Sequence, residues 1–221
     1  MIVVMTNENS NQIASPEVGV APQAGTLGAG ASAQGAAQPG NPMQGTAMLT
    51  FPKSIVADLI PFIDRAFRTL PNRENRAIAG LYMGGAMTLL AVFNNLDTFA
   101  WVGTFSAGLP PMPGVAVPIN PPLPNAASLR GPDVNRTIDK EKLAALLPQL
   151  NASANAKLRL YYVAIGAEDG LITAHNAYKG LLKEKGVNAT VVETPGYGHE
   201  WAFWRIALHD FAPRLFEMQA K

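Results

Sequence analysis

From Phe51 onward the apolar positions of the chain alternate between helical and strand-like runs. Ile55, Val56, Leu59, Ile60, Ile63 and Phe67 recur at helical spacing, with Asp58, Asp64, Arg65 and Arg68 off that face, so an amphipathic helix is predicted there. Pro61 either kinks this helix or marks its first turn. A polar turn at 72–75 leads into a short apolar strand at 76–81. A helix follows from Gly84-Gly85 to about Asn95, and the next strand covers 101–105. Residues 139–147 read as a short helix stopped by Pro148, and 158–165 as a strand. Residues 172–185 read as a helix ended by Gly186, 189–193 as a strand and 201–218 as the last helix. This alternation predicts an α/β fold: a doubly wound, mostly parallel sheet with helices on both faces.

Two stretches break the alternation. Residues 14–48 are dominated by Ala, Gly, Pro and Gln, with Glu17 the only charge. Such a stretch buries too little apolar surface to offset its ordering entropy. Residues 109–133 carry eight prolines, which excludes a regular helix or a central strand. Residues 1–5, Met-Ile-Val-Val-Met, are too short for the apolar core of a signal peptide and have no basic residue before them. They read as a buried strand, and a chain that opens inside a strand suggests that upstream sequence is missing. The predicted organisation is a first strand and polar loop at 1–13, a flexible segment at 14–50, and an α/β core at 51–221 with a Pro-rich loop at 109–133.

Composition narrows the function classes. With 221 residues, 48% apolar content and only 15% charged content, the chain can bury a sizeable core. Its 17 basic and 16 acidic residues leave no electrostatic footprint for nucleic acid. No 18-residue apolar run exists to span a membrane. The absence of cysteine removes a thiolate nucleophile and a thiolate metal site, and it says nothing of compartment. Three scattered histidines have no metal-ligand spacing, and no cofactor motif is present. His175 and His209 read as surface positions on their helices.

The candidate chemistry lies between predicted elements. Gly80-Leu81-Tyr82-Met83-Gly84 joins a strand to a helix, the context of a nucleophile elbow, whose glycines allow a tight, strained turn. The middle residue, Tyr82, would stand at the carboxyl end of the sheet, and the Met83 N–H would point at a developing oxyanion. Asp169 follows the 158–165 strand, and His199 lies in a glycine-rich loop after the next strand. The chain order is elbow, acid, histidine, which suits an Asp169 that orients a His199 general base. Asp169 also suits a cap for the helix beginning near Ile172. Trp201, Phe203 and Trp204 flank His199 as core packing or as a wall for an aromatic acyl group. Ser106 follows a strand and is expected to line the pocket.

Four segments together carry a family resemblance: Arg-Ala-Ile-Ala-Gly-Leu-Tyr-Met-Gly-Gly at 76–85, Asp-Leu-Ile-Pro-Phe-Ile-Asp at 58–64, Gly-Thr-Phe-Ser at 103–106, and Gly-His-Glu-Trp-Ala-Phe-Trp-Arg at 198–205. The chain resembles the esterase D/feruloyl esterase group, the carbohydrate esterase family 1 type of α/β-hydrolase, over residues 1–10 and about 51–221. The resemblance implies cleavage of feruloyl or acetyl esters on plant polysaccharides, or of related esters. It implies a catalytic set of the Tyr82 position, Asp169, His199 and the Met83 N–H, with Trp201 and Ser106 near the substrate and no metal or cofactor.

Two departures from the family pattern bear on activity. Tyr82 stands where the family has its nucleophilic serine, and a phenol with a pKa near 10 is a poor nucleophile at neutral pH. The family also has upstream strands, one carrying a His-Gly-Gly-type loop that supplies a second oxyanion N–H, and the chain is expected to begin after them. An incomplete sheet would expose a strand edge, so self-association or marginal stability is expected. Two functional readings follow. One is a feruloyl/acetyl esterase weakened at Tyr82. The other is a catalytically inactive homologue that binds a ligand or partner through the same cleft.

Overall fold

A computed structural model describes residues 1–6, 47–107 and 140–217. The expected flexibility of 14–46 and the Pro-rich loop at 109–133 lie outside the described residues. The first helical run comprises α1 (Ala47–Ser54), a wide π turn (Ile55–Leu59) and α2 (Ile60–Ala66). Pro61 sits in the first turn of α2, directly after the wide π turn. Residues 47–50, assigned to the flexible segment on composition, are helical instead. Leu49 extends the apolar stripe of 55–67 onto the core, a signal that a composition window averages away.

Four strands follow: β1 (Ala77–Leu81), β2 (Trp101–Phe105), β3 (Leu160–Gly166) and β4 (Thr190–Thr194). They pair in parallel in the order β1-β2-β3-β4. The intervening helices are α3 (Met83–Val92), α4 (Lys140–Leu146) and α5 (Ile172–Glu184), and α6 (Trp201–Phe211) follows β4. The central strands β2 and β3 are buried almost throughout, as near-continuous apolar runs in a sheet covered on both faces should be.

Alternation along β3 separates two cores. Tyr161 and Val163 pack with Leu89, Leu143 and Leu181 of α3, α4 and α5. Tyr162 and Ala164 face the other way, onto Phe203, Ala207 and Phe211 of α6. The chain is therefore an α/β protein with a parallel sheet and helices on both faces. Gly186 (φ +67°) ends α5, as its sequence position predicts, with Val187 N–H donating to the Leu182 carbonyl at 2.9 Å.

Two elements differ from expectation. Residues 2–5 form no strand and are exposed. Their apolar, β-branched character gives strand propensity, yet a strand exists only where a neighbour accepts its backbone bonds. Helix α6 stops at Phe211 rather than near 218, and a single 3₁₀ turn follows (Ala212–Arg214). Pro213 explains the stop, since it has no N–H to donate and its ring would collide with the preceding turn.

Candidate active site

All four strands deliver a residue to the carboxyl edge of the sheet. After β1 the chain turns at Tyr82, which has φ 53° and ψ −110°, a conformation side-chain-bearing residues rarely adopt. The turn is held on both sides. Tyr82 N–H donates to the Phe105 carbonyl at 3.0 Å, and the Tyr82 carbonyl accepts from Ala86 N–H at 3.2 Å. The flanking glycines have steric reasons. A Cβ on residue 80 would lie 2.1 Å from the Gly84 carbonyl oxygen, and one on residue 85 would lie 2.5 Å from the Ala107 Cβ. Strand and helix thus touch backbone to backbone. Helix α3 starts at Met83, where the first N–H groups have no acceptor within the helix.

The acid and histidine loops are pressed together by a third glycine. A Cβ at Gly166, the last residue of β3, would fall 2.2 Å from the Tyr197 carbonyl oxygen. Its absence lets the loop after β4 cross the end of β3. Ala167 N–H then donates to the Thr194 carbonyl and Glu168 N–H to the Tyr197 carbonyl, each at 2.9 Å. This crossing sets Asp169 beside His199.

Both side chains are buried, with 1% of Asp169 and 6% of His199 exposed. His199 Nδ1 lies 3.0 Å from Asp169 Oδ2 and 3.2 Å from Oδ1. Asp169 Oδ1 also accepts from Leu171 N–H at 2.9 Å, so the residue caps the turn before α5 while it holds the histidine. Burial by itself would raise the Asp169 pKa. The His199 hydrogen bond and charge, the Leu171 N–H and the Ser106 hydroxyl outweigh it and hold the carboxyl below its ordinary value. An ionised carboxylate only accepts, so His199 Nδ1 carries the proton and Nε2 is left as a base.

The Tyr82 ring meets the His199 ring edge to face, with centroids 5.1 Å apart at 81°. On another side of His199 stands Trp204, at 4.9 Å and 86°. Trp201 packs edge to face on Trp204 at 5.1 Å and leaves 72% of its surface exposed, whereas Phe203 is fully buried. The three aromatics of α6 therefore divide: Phe203 is core, Trp204 braces the histidine, and Trp201 faces solvent beside it. Ser106 is fully buried at the end of β2, and its Oγ accepts from Trp204 Nε1 at 3.0 Å.

His175 corrects the surface reading made from sequence. It is buried on α5 with Nε2 3.2 Å from Glu193 Oε1, and burial depresses its pKa despite that carboxylate. The signal was present, because 175 falls on the same stripe as Ala174, Tyr178, Leu181 and Leu182. His209 is exposed. Among the described residues no group of His, Asp and Glu side chains is arranged to hold a metal ion, and no helix is long and apolar enough to cross a membrane.

A strained strand–turn–helix at Tyr82, followed in space by a buried aspartate–histidine pair at the ends of β3 and β4, has the arrangement of an α/β-hydrolase-type site. The family model described as "Putative esterase" matches residues 10–215, and the chain belongs to that family. A curated relative, an endo-1,4-beta-xylanase/feruloyl esterase of Xylanibacter ruminicola, is 41% identical over 58 residues, which is 26% of this chain and 8% of that protein. Among solved structures, the CE1 ferulic acid esterase of Anaeromyces mucronatus superposes with a TM-score of 0.51 at 15% identity, covering 77% of this chain and 55% of that one. The S-formylglutathione hydrolase FrmB of Staphylococcus aureus gives a TM-score of 0.54 at 18% identity, covering 77% and 63%. This chain thus spans less than two thirds of the length of each of these proteins.

Proposed function

We propose that this chain is a carboxylic-ester hydrolase of the feruloyl/acetyl type whose activity is weakened by Tyr82. The observation that carries the reading is the buried Asp169–His199 pair, 3.0 Å apart, beside a strained elbow at the start of α3. In the proposed reaction His199 Nε2 takes a proton from the attacking oxygen, and Asp169 stabilises the resulting imidazolium. The Met83 N–H at the start of α3 receives the developing oxyanion. Trp201 offers an exposed aromatic face to the acyl group, and the substrate is a small-molecule or polysaccharide-linked ester.

The Tyr82 ring lies against the His199 ring, where the family resemblance expects a serine hydroxyl. The phenol oxygen sits a ring's length from the backbone, so it does not occupy a seryl oxygen's position relative to the Met83 N–H. Water activated by His199 is then the better nucleophile. The same ring contact favours a second reading, in which the cleft binds an ester-like ligand without turning it over.

Hydrolysis of p-nitrophenyl acetate and methyl ferulate by the chain and by Tyr82→Ser tests the proposal. Low turnover in the parent that rises in Tyr82→Ser supports a weakened esterase. No turnover in either protein, with ferulate still bound, supports the binding module.

A further inference from the structure

Three buried polar groups that the reaction does not use meet at one cavity on the α3 and α5 face of the sheet. Its volume is about 10 Å³, and Leu89, Val163 and Ala174 give it apolar walls. That is room for one water and for nothing larger. Thr104 of β2, the register partner of Val163, lines the cavity with 1% of its surface exposed. Among the described residues nothing donates to its hydroxyl or accepts from it. His175 of α5 lines the same cavity. Its Nε2 lies 3.2 Å from Glu193 Oε1, and Lys179 Nζ meets that same oxygen. A carboxylate only accepts, so Nε2 carries the ring proton, and burial opposes a second one. Nδ1 is then a buried acceptor, and among the described residues no donor reaches it. Tyr178, about one turn further along α5, is 5% exposed, and its hydroxyl lies 2.8 Å from that of Tyr161. One contact between two hydroxyls uses one of the two phenol protons. Of this pair Tyr178 lines the cavity, so Tyr161 donates and the Tyr178 proton is left facing the cavity.

We propose that this cavity is a binding site for one structural water, which bridges Thr104 of β2 to His175 and Tyr178 of α5. Donors and acceptors match. The water donates to His175 Nδ1, accepts from Tyr178, and makes its third bond with the Thr104 hydroxyl, which can give or take a proton. Three bonds is the usual number for a buried water. The bond also accounts for a threonine among apolar neighbours, where valine would match its shape. The water joins β2, whose Phe105 carbonyl holds the Tyr82 N–H, to the helix that follows Asp169. It therefore braces the carboxyl edge of the sheet from behind, whether or not the chain hydrolyses esters.

Water–protein NOE spectroscopy on the folded chain reads the site directly. A long-lived water should give cross-peaks to the Thr104 methyl group and to the His175 and Tyr178 rings. Ring ¹⁵N shifts should show His175 with its proton on Nε2. Thr104→Ser keeps the hydroxyl and should keep the cross-peaks at His175 and Tyr178. Thr104→Val keeps the shape and deletes the hydroxyl. It should lose those cross-peaks and lower Tm by about 2–4 °C, the shift that one net hydrogen bond gives in a chain of this size. The sign of that shift discriminates, because deleting a dry, unpartnered hydroxyl from a core would raise Tm. No water cross-peak at Thr104 in the parent would overturn the proposal. So would a raised Tm or unchanged cross-peaks in Thr104→Val, or a His175 proton on Nδ1. Should Thr104→Val fail to fold, the parent spectra and Thr104→Ser decide alone: cross-peaks at all three residues support the site, and their absence removes it.

Discussion

Gly166 lies directly beneath the Tyr197 carbonyl, at a distance where a single added carbon would come within 2.2 Å of that oxygen. This contact brings the acid loop and the histidine loop together. Gly166→Ala is expected to force the loop after β4 away from β3, because the obstacle is backbone and cannot rotate aside. Overpacking of this kind costs about 1–3 kcal/mol or more. Thermal unfolding should show the loss as a drop of several degrees in Tm, with the His199 Nδ1 proton signal weakened.

The buried titratable groups should divide the acid branch of the stability curve in two. His175 has a folded pKa below its ordinary 6.5, because burial disfavours the charged form. The unfolded chain then binds the proton more readily, so stability falls as pH drops below about 6.5. Asp169 has a folded pKa below its ordinary 3.8. Its contribution is full above that value and is lost as pH falls further through the folded pKa. Urea midpoints measured between pH 8 and pH 3 should show both steps. His175→Gln should remove the upper step, and Asp169→Asn should flatten the lower one.

Much of this architecture is legible from local pattern. The continuous apolar runs of β2 and β3, the helical stripe of 55–67 and the glycine stop of α5 each depend on neighbours in sequence. The elbow and the order of Tyr82, Asp169 and His199 are equally local, because the turn chemistry that exposes each residue is written in its flanking glycines. What sequence hides is long-range. Ser106 meets Trp204 across 98 positions, and no periodicity reports a hydrogen bond of that span. Residues 2–5 have strand character but no strand beside them, and Pro213 ends a helix whose apolar spacing runs on. The residue type of His175 suggests surface, whereas its position on the α5 stripe places it in the core.

Trp201 is 72% exposed and packs on Trp204 alone among the aromatic rings. Trp201→Ala is expected to leave Tm within a degree or so, as exposed substitutions do. In the Tyr82→Ser background it should raise KM for methyl ferulate several-fold, since one aromatic pair is worth about 0.5–1.5 kcal/mol. KM for p-nitrophenyl acetate should move less. Equal changes for both esters would place the acyl group elsewhere.

Among the described strands, β1 pairs on one side only. Its outer edge presents backbone donors and acceptors that can recruit another strand. Light scattering across a hundredfold range of protein concentration is expected to show association that grows with concentration. A monomer of constant mass over that range would mean that the edge is already satisfied.

The central claim is that His199, not Tyr82, carries what ester hydrolysis this chain performs. The nucleophile–histidine unit of a serine hydrolase is worth about six orders of magnitude, and the oxyanion site and binding alone keep about 10³–10⁴ over water. Turnover of p-nitrophenyl acetate by the parent chain, Tyr82→Phe and His199→Ala, measured side by side, decides the matter. The expected result is slow hydrolysis by the parent, little changed in Tyr82→Phe and lost in His199→Ala. Robust turnover by the parent that Tyr82→Phe abolishes would contradict it and make the Tyr82 phenol the nucleophile.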